Sequence, residues 1–392
     1  MSTTAHKHPI PARAAVLGTG FMGRLHVESL RRAGVEVVGV LGSTPAKGHG
    51  FCAQWHVPRA YASLEEVLDD EQVDAVHIGT PNHLHFEQAR AAIDAGKHVL
   101  CEKPLAMTSA ESRQLVDLAA RHPELVCGVN YNIRFYPLCL EMRQRVASGE
   151  LGRLFHVAGC YVQDWLHRET DYNWRVLQDQ GGELRAVADI GTHWLDLVAF
   201  VTGQSITAVC ADLSTVHPQR WRPAGEVETF AGPTAKSTDR YPVPVATDDY
   251  AALLLKFADG SRGNLWVSQV TAGRKNHLQL EIAGSEHAMS WSSDSPDELW
   301  IGHRDRPNGM LARDPSLLTA VAGQHCSYPG GHVEGYGDSF KQCFRAFYGY
   351  LQSEDRSTPP LFASFADGHR ELAVCDAVLK SSQLGQWTAV QP

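Results

Sequence analysis

Short apolar runs alternate with amphipathic stretches over residues 14–130. AAVLG, VEVVGVL, VDAVHIG, KHVLC and LVCGV read as buried strands, and HFEQARAAIDAG and SAESRQLVDLAARH place their apolar residues at helical spacing. Strands that are apolar throughout and separated by helices predict a parallel sheet covered on both faces. After residue 150 the period changes. LGRLFHVAGCYVQ, residues 151–163, reads as a strand, and YAALLLKF, RGNLWVSQ, HLQLEIAG and HAMSWSS alternate apolar with polar positions between turns such as ADGS. That pattern predicts an open, mostly antiparallel sheet. Two helical patterns accompany it: Ile190, Trp194, Leu197, Val198 and Val201 mark the buried face of one, and residues 361–383 form a closing helix. Residues 220–249 show no periodicity and are rich in Pro, Gly and Thr, so they read as an excursion from the sheet.

The first predicted strand ends in GTGFMG, residues 18–23, and a helical pattern opens directly behind it. In a G-x-G-x-x-G turn the first glycine, Gly18, permits the tight bend. Gly20 lets backbone approach a pyrophosphate, and Gly23 lets the helix close on the sheet. The motif is specific because strand, turn, helix and second strand follow in order. The fold class is therefore α/β: an N-terminal Rossmann doubly wound parallel sheet over residues 1–132, then an α+β domain over 133–392 whose last helix can pack back on the first. Where a carboxylate usually holds the ribose 2′-hydroxyl, the second strand ends in Leu41-Gly42-Ser43-Thr44 with Lys47 beyond. Nothing there repels a 2′-phosphate, so NAD and NADP both remain open as cofactor; Ser43 and Thr44 equally suit a helix cap.

Three further residues carry chemistry. In HVLCEKPLAM, residues 98–107, a strand runs without a gap into Glu102-Lys103-Pro104. The proline ends the ladder and keeps Lys103 out of helical geometry, at the strand tips where ligands bind such sheets. Asp189 and His193 stand four apart at the start of the later helix, with Asp196 three further on as a second partner for His193. From spacing alone Asp189 suits an N-cap. Oxidation of a secondary alcohol supplies a reason for the set. A histidine near its ordinary pKa takes the hydroxyl proton, a lysine ammonium stabilises the developing oxyanion, and an aspartate orients them. In GTPNHLH, residues 79–85, Asn82 or His85 would face a bound dinucleotide; His83 and His85 diverge too much to form a metal pair.

Composition narrows the partners. The net charge of −9 gives no reason to expect nucleic acid or an anionic membrane. No apolar stretch reaches the length of a membrane span, and the opening residues lack the apolar core of a secretory signal. Nine cysteines, scattered singly without a CxxC pair, match reduced thiols in the cytoplasm.

GTGFMG, TPNHLH at 80–85, AGKHVLCEKPLA at 95–106, NYNIRFYP at 130–137 and DIGTHWLDL at 189–197 together resemble the Gfo/Idh/MocA family of NAD(P)-dependent sugar and polyol oxidoreductases. The resemblance implies that Lys103, Asp189 and His193 are catalytic, with His193 as general acid/base. It implies a cofactor cleft lined by Phe21, Met22, Thr80, Asn82, His85, Glu102, Asn132 and the Trp174-Arg175 pair, and no metal. YVQDW at 161–165, NWRV at 173–176 and residues 332–351 are similar to the branch oxidising levoglucosan and the C3 hydroxyl of glucosides. That similarity implies Gln163, Asp164, Trp165 and His332 as sugar contacts, while the glycine-flanked His332 and Glu334 by themselves read as a solvated turn. It also implies a homo-oligomer built on the open sheet face. The alternatives are a redox glycosidase, in which transient C3 oxidation drives elimination, and a dinucleotide-binding regulator without turnover.

Overall fold

The computed structural model describes residues 12–225 and 239–391. The opening residues, on which the signal reading rests, and residues 226–238 of the polar excursion lie outside the described residues. Six parallel strands, β1 (Arg13–Leu17), β2 (Glu36–Leu41), β3 (Ala60–Tyr61), β4 (Ala75–Ile78), β5 (His98–Cys101) and β6 (Cys127–Val129), form one sheet in the order β6-β5-β4-β1-β2-β3. Every residue of β4 and all of β1 after Arg13 are buried, because helices cover both faces. Two-residue β3 is too short to leave a period in the sequence.

The remaining strands are β7 (Leu154–Val162), β8 (Ile206–Ser214), β9 (Gln219–Pro223), β10 (Arg240–Pro244), β11 (Tyr250–Phe257), β12 (Arg262–Ser268), β13 (His277–Gly284), β14 (Ala288–Ser292), β15 (Glu298–Gly302), β16 (Gly309–Ala312), β17 (Ala363–Ser364) and β18 (Thr388–Ala389). Nine of them make a second sheet in the order β16-β15-β14-β13-β7-β12-β11-β8-β18, antiparallel except at β7–β12. The helix Thr192–Thr202 lies on its inner face. A Cβ at Gly159 of β7 would come within 2.4 Å of the Trp194 indole nitrogen, whose N–H donates to the Gln279 carbonyl at 2.9 Å. The missing side chain lets this helix sit close. It is buried on nearly all sides, not on one stripe only. The polar excursion is not structureless either: β9 and β10 pair as an antiparallel ribbon.

The last part of the chain returns to the first sheet. β17 pairs antiparallel with β6 as a seventh strand. The closing helix, Phe365–Leu384, then packs on both Ser109–Arg121 and β8, and Tyr336–Gln352 packs on Phe21–Arg32. Residues 336–384 thus pack against both halves.

Candidate active site

The glycine turn follows β1. Gly18 has φ of +103°, and a Cβ there would lie 2.6 Å from the Gly79 carbonyl oxygen. A Cβ at Gly23 would lie 2.1 Å from the Gly18 carbonyl oxygen. The fold itself requires those two glycines. Gly20 differs: nothing lies within 4 Å of its missing Cβ, and it opens the helix Phe21–Arg32 without a side-chain cap. It keeps a space clear in front of a helix N-terminus, which fits the pyrophosphate of a dinucleotide. Gly20→Ala is accordingly expected to leave the unfolding midpoint within about 2 °C and to weaken dinucleotide binding by about tenfold or more, as titration calorimetry would read.

At the end of β2 a physical reason for the missing carboxylate emerges. A Cβ on Gly42 would stand 2.6 Å from the Gly48 backbone nitrogen, so the helix Pro45–Trp55 packs too closely for a side chain there. Ser43, Thr44 and Lys47 are exposed, and the Thr44 hydroxyl accepts from the Lys47 N–H at 3.3 Å as a helix cap.

Lys103 emerges from the tip of β5 with its peptide bond to Pro104 in the cis form. Its Nζ donates to Asp189 Oδ1 at 2.9 Å and to the Asp189 carbonyl at 2.6 Å. Arg175 Nε donates to the same Oδ1 at 3.2 Å, and Gln269 Nε2 to Oδ2 at 2.8 Å. Burial alone would raise this carboxyl, but Lys103 and Arg175 outweigh it and hold Asp189 well below the usual carboxylate range. Asp189 is not an N-cap: it lies inside a π-helical turn, Val187–Gly191, that leads into Thr192–Thr202.

His193 follows one turn later, its ring edge-on to Tyr131 at 5.6 Å and tilted against Tyr161 at 6.0 Å. Burial, followed by the Lys103 charge, brings its pKa down to about 3, against the expectation of an ordinary value. The resting imidazole is neutral. Asp196 does not serve it. That carboxylate is buried against Arg134, accepting from Nε at 2.8 Å and from Nη2.

The other expected cleft residues divide. Asn82 Nδ2 donates to the Gly181 carbonyl at 3.1 Å, and Thr80 Oγ1 to Gln88 at 2.6 Å. His85 lies between the Pro104 and Thr80 carbonyls, its Nδ1 2.7 Å from the first and its Nε2 2.9 Å from the second, so the single N–H of the neutral ring donates to one of them and the ring packs between the turn and the lysine loop. Phe21 is exposed and Met22 half-buried beside the turn. Asn132 is buried on Ser339 at 2.7 Å. The Arg175 guanidinium lies 4.4 Å over the Trp174 ring while it binds Asp189.

Past the end of β7, Gln163 Nε2 donates to Asn276 Oδ1 at 2.7 Å and Gln163 Oε1 accepts from Trp165 Nε1 at 2.8 Å; Asp164 pairs with Lys275 at 2.7 Å. Tyr161 donates to the same Asn276 oxygen at 2.8 Å, linking this polar cluster to the His193 ring. His332 and Val333 are exposed, as a solvated turn would be, while their neighbour Glu334 is buried on Arg313 and anchors the loop. Sequence reasoning missed Gln269, Tyr131, Tyr161 and Arg134. Among the described residues no group of three His, Cys, Asp or Glu is placed to hold a metal, and no helix is long and apolar enough to cross a membrane.

Comparison with known proteins agrees with this fold. Residues 12–131 match the oxidoreductase family with an NAD-binding Rossmann fold, and residues 139–290 match the GFO/IDH/MocA C-terminal domain. The chain is 29% identical over 397 residues to levoglucosan dehydrogenase from Pseudarthrobacter phenanthrenivorans, covering 96% of this chain and 97% of that one. It is 33% identical over 383 residues to an uncharacterised oxidoreductase of Rhizobium meliloti, covering 96% and 99%. A structure of levoglucosan dehydrogenase in complex with NADH and L-sorbose superposes with a TM-score of 0.86 at 27% identity, over 97% of this chain and 99% of that one.

Proposed function

The chain belongs to the Gfo/Idh/MocA oxidoreductase family, and we propose that it oxidises a secondary hydroxyl of a pyranose sugar or glycoside, at C3, in the cytoplasm. The observation that carries this reading is the Lys103–Asp189 ion pair one helical turn from a neutral, buried His193. The sugar complex of the levoglucosan dehydrogenase relative supports the substrate class.

The glycine turn at 18–23, the end of β2 with Ser43, Thr44 and Lys47, and the lysine loop would hold the dinucleotide. NAD is the cofactor best supported, and with no carboxylate at Gly42 NADP is tolerated. When bound, the nicotinamide accepts or returns the hydride. The protein's own part is proton and charge management. The neutral His193 removes the hydroxyl proton as the C–H bond breaks. The Lys103 ammonium donates to the same oxygen and stabilises its developing charge. Asp189, fixed by three donors, holds Lys103 in place. Gln163, Asp164 and Trp165 would present amide, carboxylate and ring to the sugar, and His332 would add a contact from its loop. Exposed Phe155, Leu254 and Trp266 on the second sheet support a homo-oligomer.

The test is reduced-nicotinamide absorbance with purified protein, NAD or NADP, and a panel of glucose, aryl glucosides, C-glucosides, levoglucosan and inositols. Signal growth with a pyranose or glycoside is expected. Aglycone release without net cofactor reduction would replace this reading with a redox glycosidase. Dinucleotide binding with neither signal would favour a regulator.

A further inference from the structure

Behind Lys103, three side chains with no role so far join Glu102 in a buried row. Glu102 Oε1 lies 2.9 Å from His26 Nε2 and accepts from Asn130 Nδ2 at 2.6 Å. His26 Nδ1 lies 3.0 Å from His77 Nδ1, and His77 Nε2 lies 2.9 Å from the Tyr348 hydroxyl. Exposure is 5% at Glu102, nil at both histidines and 4% at Tyr348. Phe344 stands edge-on to both imidazoles, at 5.0 and 4.8 Å.

Proton counting leaves one arrangement for neutral rings. A carboxylate only accepts, so His26 presents Nε2–H to Glu102. His26 Nδ1 is then a bare acceptor, and His77 places its single proton on Nδ1 to meet it. His77 Nε2 becomes an acceptor in turn, and Tyr348 donates. Every donor in the row points toward Glu102. A doubly protonated His26 would reverse both His77 and Tyr348. Burial drives the His77 pKa well below its ordinary value, which keeps that ring neutral. Burial would raise the Glu102 carboxyl, but the hydrogen bond from His26 and the Lys103 charge outweigh it.

The row links elements that a dinucleotide and a sugar would touch from different sides. His26 belongs to the helix behind the glycine turn, Glu102 to the lysine loop, and Tyr348 to the helix Tyr336–Gln352. We infer that His26, His77 and Tyr348 are positioning residues that hold Glu102 as an anion behind Lys103, so that the lysine lies in the field of two carboxylates, Asp189 and Glu102. This deepens the proposed function and rests on it for the role of Lys103. The other titratable groups that feel Glu102 are His85, His193, Tyr336, Cys101 and Cys343. Burial lowers the two histidines and raises the phenol and thiols, so all five are neutral near pH 7. With these groups neutral, the Lys103 ammonium answers the Glu102 charge.

Nitrogen-15 labelling of the histidines, read by long-range proton–nitrogen correlation in the wild-type protein, separates N–H from bare nitrogen in each ring. For the inferred order the expected result is a proton on His26 Nε2, facing Glu102, with His26 Nδ1 bare, and a proton on Nδ1 alone for His77. A proton on His77 Nε2, or two on His26, would overturn the inferred order. Glu102→Gln keeps the shape and removes the charge. Losing an anion disfavours the Lys103 ammonium, so the alkaline limb of kcat/KM for sugar oxidation is expected to move down by roughly half to one pH unit. A folded, dinucleotide-binding variant with an unmoved limb would overturn the charge role. Should the wild type oxidise no sugar, the functional reading fails by itself while the nitrogen signals still decide the proton order.

Discussion

Lys103→Ala is expected to lower kcat for sugar oxidation by about 10³–10⁴-fold while the protein stays folded. Asp189 would keep Arg175 and Gln269 as donors, so removal of the ammonium does not strand a buried carboxylate. What is lost is the donor that meets charge on the substrate oxygen. Lys103→Arg is not expected to rescue it, because a planar fork cannot reproduce a compact ammonium. His193→Ala is expected to cost about 10²–10⁴-fold through loss of the proton acceptor. The double variant should be little worse than the poorer single one, because the two residues act on the same oxygen. Steady-state kinetics with the best panel sugar checks this. Turnover that survives both replacements would remove the mechanism. The acid side of the profile is a second check. With its pKa near 3 in the resting site, His193 is neutral throughout the range above. The acid limb of kcat/KM is therefore expected well below pH 6.5, not at the value of a solvated histidine.

These three residues were legible because each sits at a place the local pattern marks: a strand tip stopped by proline for Lys103, and one helical turn for Asp189 and His193. The partners that set their state were not. Gln269 lies just beyond β12, and nothing in VSQV distinguishes an amide aimed at Asp189 from one facing solvent. Arg134 meets Asp196 across 62 residues, so the three-residue spacing from His193 to Asp196 misassigned that carboxylate. The π turn at Val187–Gly191 carries no composition signal, and the His193 shift depends on burial that only assembly produces. At the level of the fold, continuous and alternating apolar runs revealed both sheets. They could not reveal the return of β17 to the first sheet or the β9–β10 ribbon. Two-residue strands have no period, and QRWRP and RYPVP are polar and proline-rich.

Asp249→Ala is expected to have the largest effect on stability, about 3–5 kcal/mol, although Asp249 touches neither Lys103 nor His193. Its carboxylate is fully buried between two guanidiniums, accepting from Arg220 Nη2 at 2.6 Å and from Arg185 Nη2, while its other oxygen accepts from the His217 N–H at 2.9 Å. Alanine would leave Arg185 and Arg220, themselves without exposed surface, as uncompensated buried cations. The unfolding midpoint is expected to fall by roughly 5–10 °C, as scanning calorimetry would show. Arg185 begins the segment that positions the site: its N–H donates to Asp248 at 2.6 Å, its carbonyl accepts the Asp189 N–H at 2.7 Å, and the π turn follows at once. Lost order at Arg185 should therefore reach Asp189, and kcat should fall in the variant even at temperatures where it stays folded. Replacing Arg185, Arg220 and Asp249 together by apolar residues of similar volume should restore much of the midpoint, since the penalty lies in stranded charge. A midpoint that moves by less than about 2 °C in Asp249→Ala would mean that water reaches the guanidiniums, and that this cluster does not hold the site in place.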